Sequence, residues 1–281
     1  MRLPPIIKNA KREDPQIMAN RHRLSTAFAM AAAALLLSAP AVAQTTPAAS
    51  TPAAPARNVV LVHGAYADGS GWSEVIARLQ KAGMTVTAVQ NPLTSLADDA
   101  EATRRILALQ DGPTVLVGHS WAGTVISETG GDPKVSALVY VAARAPDAGE
   151  DYGALAAKFP TPPASAGLVK SPDGFAQLSE EAFLRDFAGD LDPARARTLY
   201  AVQGRIATTL FASRTTQAAW RSKPAWYAVS ADDRTTAPDL QRFVADRMKA
   251  KTIELASSHL SMLSHPDAIA GLILEAAGRS R

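Results

Sequence analysis

The 281-residue chain has no cysteine, and only 6% of its residues are aromatic. The lack of cysteine excludes a disulfide-bonded scaffold, a thiol nucleophile and a cysteine-ligated zinc or iron–sulfur centre. Charged residues are also few, at 20%, whereas hydrophobic residues reach 47%. A chain this long and this apolar is expected to fold around its own core rather than to remain disordered.

The first 43 residues have the pattern of a secretory signal peptide. Arg21 and Arg23 precede an apolar run over residues 27–37, and Ala41-Val42-Ala43 supplies a small-residue cleavage site. The run is shorter than the roughly 20 apolar residues that a membrane-spanning helix needs, which argues against an anchor. We therefore expect bacterial export to the periplasm or medium, cleavage after Ala43, and a true translation start at Met18.

Removal of this segment changes the charge balance. The chain carries a formal net charge of +3, but residues 1–43 contain six basic and two acidic residues, so the remainder has a net charge of −1. This balance no longer favours a nucleic-acid partner. A small-molecule partner is expected, without nucleic acid and without stable membrane insertion, and the sequence leaves the oligomeric state open.

The remaining chain divides into a linker and one domain. Residues 44–56 consist almost entirely of Pro, Ala, Thr and Ser and are expected to form a solvated linker, followed by a domain over residues 57–281. Within the domain, short apolar strands alternate with amphipathic helices, which indicates a parallel sheet covered on both faces. The predicted strands are 58–62, 85–89, 114–117, 135–141, 226–230 and 252–255. The predicted helices are 72–81, 95–109, 239–248 and 267–276, with 124–128 inside another.

The alternation is interrupted between about residues 144 and 223. Proline-rich turns and helical stretches predicted at 180–187 and 194–210 indicate a cap over the carboxyl edge of the sheet, where open α/β sheets bind ligands. Its apolar residues are expected to form the core of the cap or to line a pocket. They are Phe159, Leu168, Phe175, Phe183, Phe187, Ile206, Leu210 and Phe211.

The hexapeptide 118–123, Gly-His-Ser-Trp-Ala-Gly, lies between a predicted strand and a predicted helix. This is the context of a nucleophile elbow, a sharp turn that needs small residues two before and two after Ser120. Gly118 meets this need, and Ala122 replaces the usual second glycine. Alone, the hexapeptide is equally compatible with an ordinary serine at a helix N-terminus.

Other chemistry-bearing residues lie in the loops that follow strands. His63-Gly64-Ala65 closes the first strand, so the backbone N–H groups of Ala65 and Trp121 are candidates for an oxyanion hole. His259 follows the last strand and is the candidate general base, while His265 before Pro266 is a competitor that fits a helix entry.

Two adjacent aspartates follow the strand at 226–230. Either Asp232 or Asp233 could serve as the acid that orients a histidine, and spacing alone does not choose between them. The chain order of serine, aspartate and histidine is that of α/β-hydrolases rather than that of trypsin-like or subtilisin-like proteases.

These motifs together resemble the α/β-hydrolase superfamily. The similar segments are 63–72, 118–123, 232–238 and 258–266, and the branch they resemble most is a bacterial esterase group related to plant methylesterases and hydroxynitrile lyases. The resemblance implies an α/β fold with a mostly parallel sheet flanked by helices and a helical cap inserted after the sixth strand. It also implies roles for the site residues. Ser120 would be the nucleophile, Asp233 the acid and His259 the base, while Ala65 and Trp121 would form the oxyanion hole.

The resemblance implies a serine carboxylic-ester hydrolase that works through an acyl-enzyme. The apolar residues of the cap suggest small to medium uncharged esters as substrates, and no cofactor or metal is expected. Hydroxynitrile lyases of this fold have a threonine at the position of Gly64 and a lysine at that of Leu260, so that chemistry lacks its helper here. Lactone cleavage and non-catalytic ligand binding remain alternatives. A dinucleotide fingerprint fails at Glu74, where its third glycine would stand.

Overall fold

A computed structural model describes residues 55–279. The predicted signal peptide and most of the predicted linker lie outside these residues. Ala56, the last residue of that linker, is buried, and its N–H donates to the carbonyl oxygen of Ala277 at 2.9 Å. Ala56 is therefore packed against the C-terminal end of the helix Pro266–Ala276.

Within residues 55–279 the strands fall into a larger and a smaller sheet. Strands β1–β4, β8 and β9 form a six-stranded parallel sheet in the order β2-β1-β3-β4-β8-β9, whereas β5–β7 form a small antiparallel sheet. The strands are β1 Asn58–Val62, β2 Thr85–Val89, β3 Thr114–His119, β4 Val135–Val141, β5 Leu168–Lys170, β6 Phe175–Leu178, β7 Ile206–Ala207, β8 Ala225–Ser230 and β9 Lys251–Leu255. All six strands predicted for the main sheet are confirmed.

Helices cover the main sheet. The α-helices are α1 Ser73–Lys81, α2 Leu96–Ala108, α3 Ala122–Thr129, α4 Tyr152–Ala156, α5 Glu180–Ala182, α6 Pro193–Ala201, α7 Pro238–Arg247, α8 Ser261–Ser264 and α9 Pro266–Ala276. The chain runs outward from β1 to β2 and then returns past β1 to β3. Because parallel crossovers are right-handed, this reversal places α1 and α2 on opposite faces of the sheet. Accordingly, α1 packs with α9, and α2 packs with α3.

The reversal also determines where a site forms. Strand order changes direction between β1 and β3, and ligands of open α/β sheets bind beyond the carboxyl ends of the strands at such a switch point. Among residues 55–279, four of the five non-glycine residues with positive φ follow strand ends on this edge, namely Tyr66, Leu93, Ser120 and Ala142. Backbone strain of this kind is concentrated at functional sites.

Two expectations about the insertion between β4 and β8 are wrong. It follows the fourth strand of the chain, not the sixth, because only four strands of the sheet precede it and two follow it. It also contains the antiparallel sheet β5–β7 besides its helices. The helix predicted over 194–210 ends at Ala201, and the chain after it forms β7, in which Ile206 pairs with Ala176 of β6.

The helical prediction over 180–187 is correct in outline. Helix α5 continues directly into a π-helical turn at Phe183–Phe187. None of the helices in the described part of the chain is long and apolar enough to span a bilayer. Likewise, residues 55–279 contain no group of three or more histidine or carboxylate side chains placed to hold a metal ion.

Candidate active site

Ser120 occupies a strained turn directly after β3. Its φ of +54° lies in the left-handed region, and the turn is fixed by backbone hydrogen bonds. The N–H of Ser120 donates to Val141 O at 3.0 Å, and its carbonyl oxygen accepts from the N–H groups of Gly123 and Arg144 at 3.1 and 3.0 Å. Such a turn presents a side chain at the edge of the sheet, as a nucleophile elbow does.

The glycines around this turn are needed for close packing. A Cβ on Gly118 would come within 2.8 Å of Ala122 O, and one on Gly123 would come within 1.9 Å of Arg144 O. Ala122 itself is fully buried. The alanine at the position of the usual second glycine is therefore accommodated, while Gly118 and Gly123 have no room for a side chain.

The loop after β1 lies against the same turn. A Cβ on Gly64 would stand 2.7 Å from Ser120 Cβ, so the glycine lets the two loops meet. His63 fixes this loop, because its Nε2 accepts from Asn91 N–H at 2.8 Å and its Nδ1 donates to Gly64 O at 2.9 Å. These bonds give His63 a structural role, and burial lowers the pKa of its imidazole.

Ala65 and Trp121 both line the cavity that contains Ser120. Within residues 55–279, neither backbone N–H has a hydrogen-bond acceptor. Two N–H groups without partners beside a serine can stabilise an oxyanion. A buried hydrogen bond fixes the Trp121 side chain, since its Nε1–H donates to Asp99 Oδ2 at 2.7 Å.

Asp99 is a buried carboxylate that sequence analysis did not single out. Its Oδ1 accepts from the N–H of Leu93, a residue with positive φ, at 2.8 Å. Burial raises the pKa of Asp99 to about 6. The carboxylate of Asp99 therefore joins the loop after β2 to the turn after β3. In the sequence Asp99 looks like its neighbour Asp98, and the two differ in the structure because Asp99 is fully buried and Asp98 is exposed.

His259 and Asp233 form a fully buried pair. His259 Nδ1 lies 2.6 Å from Asp233 Oδ2, and both side chains have 0% exposure. Asp233 Oδ1 also accepts the N–H groups of Thr235 and Thr236 at 2.7 and 2.9 Å, and Oδ2 accepts from Gln241 Nε2 at 2.7 Å. With these donors around the carboxylate, Nδ1 of His259 carries the proton and donates to it.

The neighbouring candidates have other surroundings. Asp232 is exposed, and its backbone N–H donates to Ser257 O at 3.1 Å. His265 immediately precedes α9, and its Nδ1 lies 2.9 Å from Ser264 Oγ. The structure therefore brings together Asp233 and His259 and leaves Asp232 and His265 outside the pair.

His259 Nε2 is buried and has no hydrogen-bond partner within the described chain. Ser120 and His259 are accordingly not joined by a hydrogen bond in this structure. The ring of Phe187 lies 5.0 Å from the His259 ring, and that of His119 lies 4.7 Å away. His119 Nε2 also bonds His259 O at 3.0 Å, so the imidazole of His259 is packed from two sides.

A cavity of about 310 Å³ opens beside Ser120. Most of its lining is apolar and comes from the insertion, including Leu168 and Phe211 from the apolar set named from the sequence. Phe183 and Phe187 lie elsewhere, in the hydrophobic core. Arg144 is the one charged residue in the cavity lining among residues 55–279, and sequence analysis treated it only as the start of the insertion.

Comparison with known proteins places the chain in a family. The family model of the alpha/beta hydrolase family matches residues 59–272. An alpha/beta hydrolase of Aspergillus novofumigatus, nvfD, is 24% identical over 245 residues, which cover 79% of this chain and 97% of that protein. The chain belongs to the alpha/beta hydrolase family.

Solved structures show the same fold. A pyrethroid hydrolase from Sphingobium faniae JZ-2 superimposes with a TM-score of 0.67 at 22% identity, covering 79% of this chain and 98% of the other. Polyneuridine aldehyde esterase superimposes with a TM-score of 0.66 at 20% identity, covering 78% of this chain and 98% of the other. The fold predicted from the motifs is thereby confirmed.

Proposed function

We propose that this protein is a serine carboxylic-ester hydrolase that works through an acyl-enzyme. The observation that carries the proposal is the buried Asp233–His259 pair, which lies at the same carboxyl edge of the sheet as Ser120. Ser120 itself occupies a turn with positive φ and lines a cavity. The pyrethroid hydrolase and polyneuridine aldehyde esterase named above support ester hydrolysis as the reaction class.

Ser120 is assigned as the nucleophile, His259 as the base and Asp233 as the acid. With the proton of the imidazole held on Nδ1 by Asp233, Nε2 of His259 is the basic nitrogen, and it has no competing protein partner within the described chain. It takes the proton of Ser120 as the serine oxygen attacks the ester carbonyl. This step requires Nε2 and Oγ to approach to hydrogen-bond distance when substrate binds.

The N–H groups of Ala65 and Trp121 are assigned to the oxyanion hole. They hold the negative oxygen of the tetrahedral intermediate, after which His259 donates its proton to the departing alcohol. Water then attacks the acyl-enzyme with His259 again as base, which releases the acid. Loss of one such donor costs about 10²–10³ in rate in comparable sites.

The substrates are proposed to be small to medium esters, because the cavity is mostly apolar and moderate in volume. Hydroxynitrile-lyase chemistry is less well supported, since Leu260 beside His259 is a buried apolar residue that supplies no positive charge. Lactones are cyclic esters and fall within the same chemistry.

Export is part of the proposal. The signal peptide assigned to residues 1–43 lies outside the described residues, so its support is the sequence pattern alone. N-terminal sequencing of protein collected from the periplasm or medium should begin at Gln44. A mature chain that begins near Met1 would contradict it.

The reaction is tested with p-nitrophenyl butyrate and with a fluorophosphonate that labels activated serines. Wild-type protein should hydrolyse the ester and be labelled at Ser120, and Ser120→Ala should lower kcat by at least ~10⁴-fold. Ser222→Ala is the matched control, because Ser222 is exposed and does not line the cavity. Equal rates in wild type and Ser120→Ala would exclude the assignment, and an unlabelled, inactive wild type would favour a binding protein.

A further inference from the structure

Arg144 stands out within the cavity because it is charged and unpaired. It follows β4, and its backbone N–H donates to Ser120 O at 3.0 Å, so it is fixed next to the serine. Its side chain lines the cavity that also contains Ser120, Ala65 and Trp121. No other charged residue of the described chain lines this cavity.

The guanidinium group has few protein partners. Nη2 donates to Phe211 O at 3.3 Å, Nε is buried without an acceptor, and Nη1 has no acceptor within residues 55–279. Arg144 forms no salt bridge with any described carboxylate. Instead its guanidinium carbon lies 4.4, 5.4 and 5.5 Å from the ring centroids of Tyr152, Trp121 and Phe211.

The carboxylates closest to Arg144 in sequence already have cationic partners. Glu150 pairs with Arg247 at 2.7 Å, and Asp151 pairs with Arg214 at 2.9 Å. Asp147 is likewise paired with Arg221. Because each of these carboxylates forms its ion pair with another arginine, none of them forms one with Arg144, although the charges of Asp151 and Glu150 are near enough to favour its protonated form.

A cation in an apolar cavity is costly unless an anion compensates it. Burial lowers the pKa of Arg144 to about 10, so the group is still protonated at neutral pH. A guanidinium binds carboxylates in particular, because its N–H groups match the two carboxylate oxygens. The aromatic rings around it hold the planar group without consuming those donors.

We propose that Arg144 binds a carboxylate of the substrate, so that the preferred esters carry a negative charge on the part that occupies the cavity. This proposal rests on the proposed ester hydrolysis and replaces the uncharged esters expected from the sequence with an anionic class. A charge-assisted hydrogen bond of this kind should raise kcat/KM by roughly 10–100-fold over a neutral analogue of the same shape.

The test uses two matched pairs of esters, because the carboxylate could lie on either side of the scissile bond. The first pair is p-nitrophenyl hydrogen adipate and p-nitrophenyl methyl adipate, and the second is 4-acetoxybenzoate and its methyl ester. In at least one pair the wild type should favour the anion by roughly 10–100-fold, and Arg144→Gln should lower that ratio to near 1. Arg105→Gln, which removes an exposed positive charge paired with Glu101 on α2, should keep the wild-type ratio.

A wild-type ratio of 1 or below in both pairs would overturn the proposal. So would an Arg144→Gln variant that keeps the ratio, or one that loses activity equally on both members of a pair. Thermal unfolding of Arg144→Gln verifies that the variant is folded.

A binding measurement separates this proposal from the proposed reaction. In the Ser120→Ala background, calorimetry should show monomethyl adipate binding more tightly than dimethyl adipate, and the addition of Arg144→Gln should abolish the difference. Failure of the reaction would leave this difference intact, whereas equal binding of the two adipates would overturn the role of Arg144.

Discussion

Ser120 and the Asp233–His259 pair are held in place by two different kinds of contact. Ser120 is positioned by backbone hydrogen bonds within the turn after β3 and by glycines that allow close packing. The loops that carry Asp233 and His259 are positioned largely by side chains, several of them from the insertion.

The segment of the insertion around Asp186 and Asp190 contacts both of those loops. Asp190 accepts from the N–H of Ser258 at 3.0 Å and also from its hydroxyl. Asp186 bonds Arg234 at 2.6 Å, and its carbonyl oxygen accepts from Thr235 Oγ1 at 3.1 Å. The position of Ser120 thus depends on backbone bonds at the edge of the main sheet. The positions of Asp233 and His259 depend in part on side-chain bonds from the insertion.

The largest expected effect concerns the two adjacent aspartates. Asp233→Asn should lower kcat on p-nitrophenyl butyrate on the order of 10⁴-fold, because the amide can no longer hold the imidazole with its proton on Nδ1. Asp232→Asn is the matched control and should change kcat less than about twofold, since its side chain is exposed. Equal losses in the two variants would show that the buried pair has no special role.

The next prediction tests the close backbone packing that positions Ser120. Gly123→Ala should lower the free energy of unfolding by at least ~1–3 kcal/mol, because the added Cβ would stand 1.9 Å from a backbone carbonyl oxygen that cannot easily move. Gly112→Ala places a Cβ where nothing lies within 4 Å and should change it by less than ~1 kcal/mol. Urea unfolding of both variants measures the difference, and similar midpoints would contradict the packing argument.

The smallest effect tests the side-chain contacts of the insertion. Asp186→Asn should lower the free energy of unfolding by about 1–2 kcal/mol, since it breaks hydrogen bonds from Arg185 and Arg234 to a fully buried carboxylate. Glu181→Gln removes only an exposed partner of Arg185 and should cost less than ~0.5 kcal/mol. If the insertion positions the catalytic loops, Asp186→Asn should also lower kcat, while Glu181→Gln should not.

The stability lost in Asp186→Asn should also depend on pH. Hydrogen bonds from Arg185 and then Arg234 lower the pKa of Asp186 below its ordinary value. A lowered pKa stabilises the folded state above the unfolded value of about 3.9, and this contribution is lost as the pH falls through the folded pKa. The stability gap between wild type and Asp186→Asn should therefore close below about pH 4. A gap that stays constant down to pH 2 would show that the charge of Asp186 does not matter.

The sequence predicted the main sheet well because its strands are short apolar runs with clear ends. The helix predicted over 95–109 likewise starts close to α2, where Ser95 is the N-cap and its Oγ accepts the Asp98 N–H at 3.1 Å. The insertion was predicted less well. The end of α6 at Ala201 follows from pairing between β7 and β6, which is a contact between distant residues that local pattern does not contain.

What the sequence determined by itself is the family, the segments that form the strands of the main sheet, and the loops that carry Ser120, Asp232, Asp233 and His259, since these depend on local hydrophobic pattern and short motifs. The spacing left Asp232 and Asp233 open, and only the resemblance favoured Asp233. The tertiary structure shows that Asp233 is the one buried against His259, where Gln241 of the following helix α7 donates to it. It also decided that Arg144 lacks a carboxylate partner. Its neighbours in sequence are paired with arginines that lie 63–97 residues further along the chain, and only folding brings those partners together.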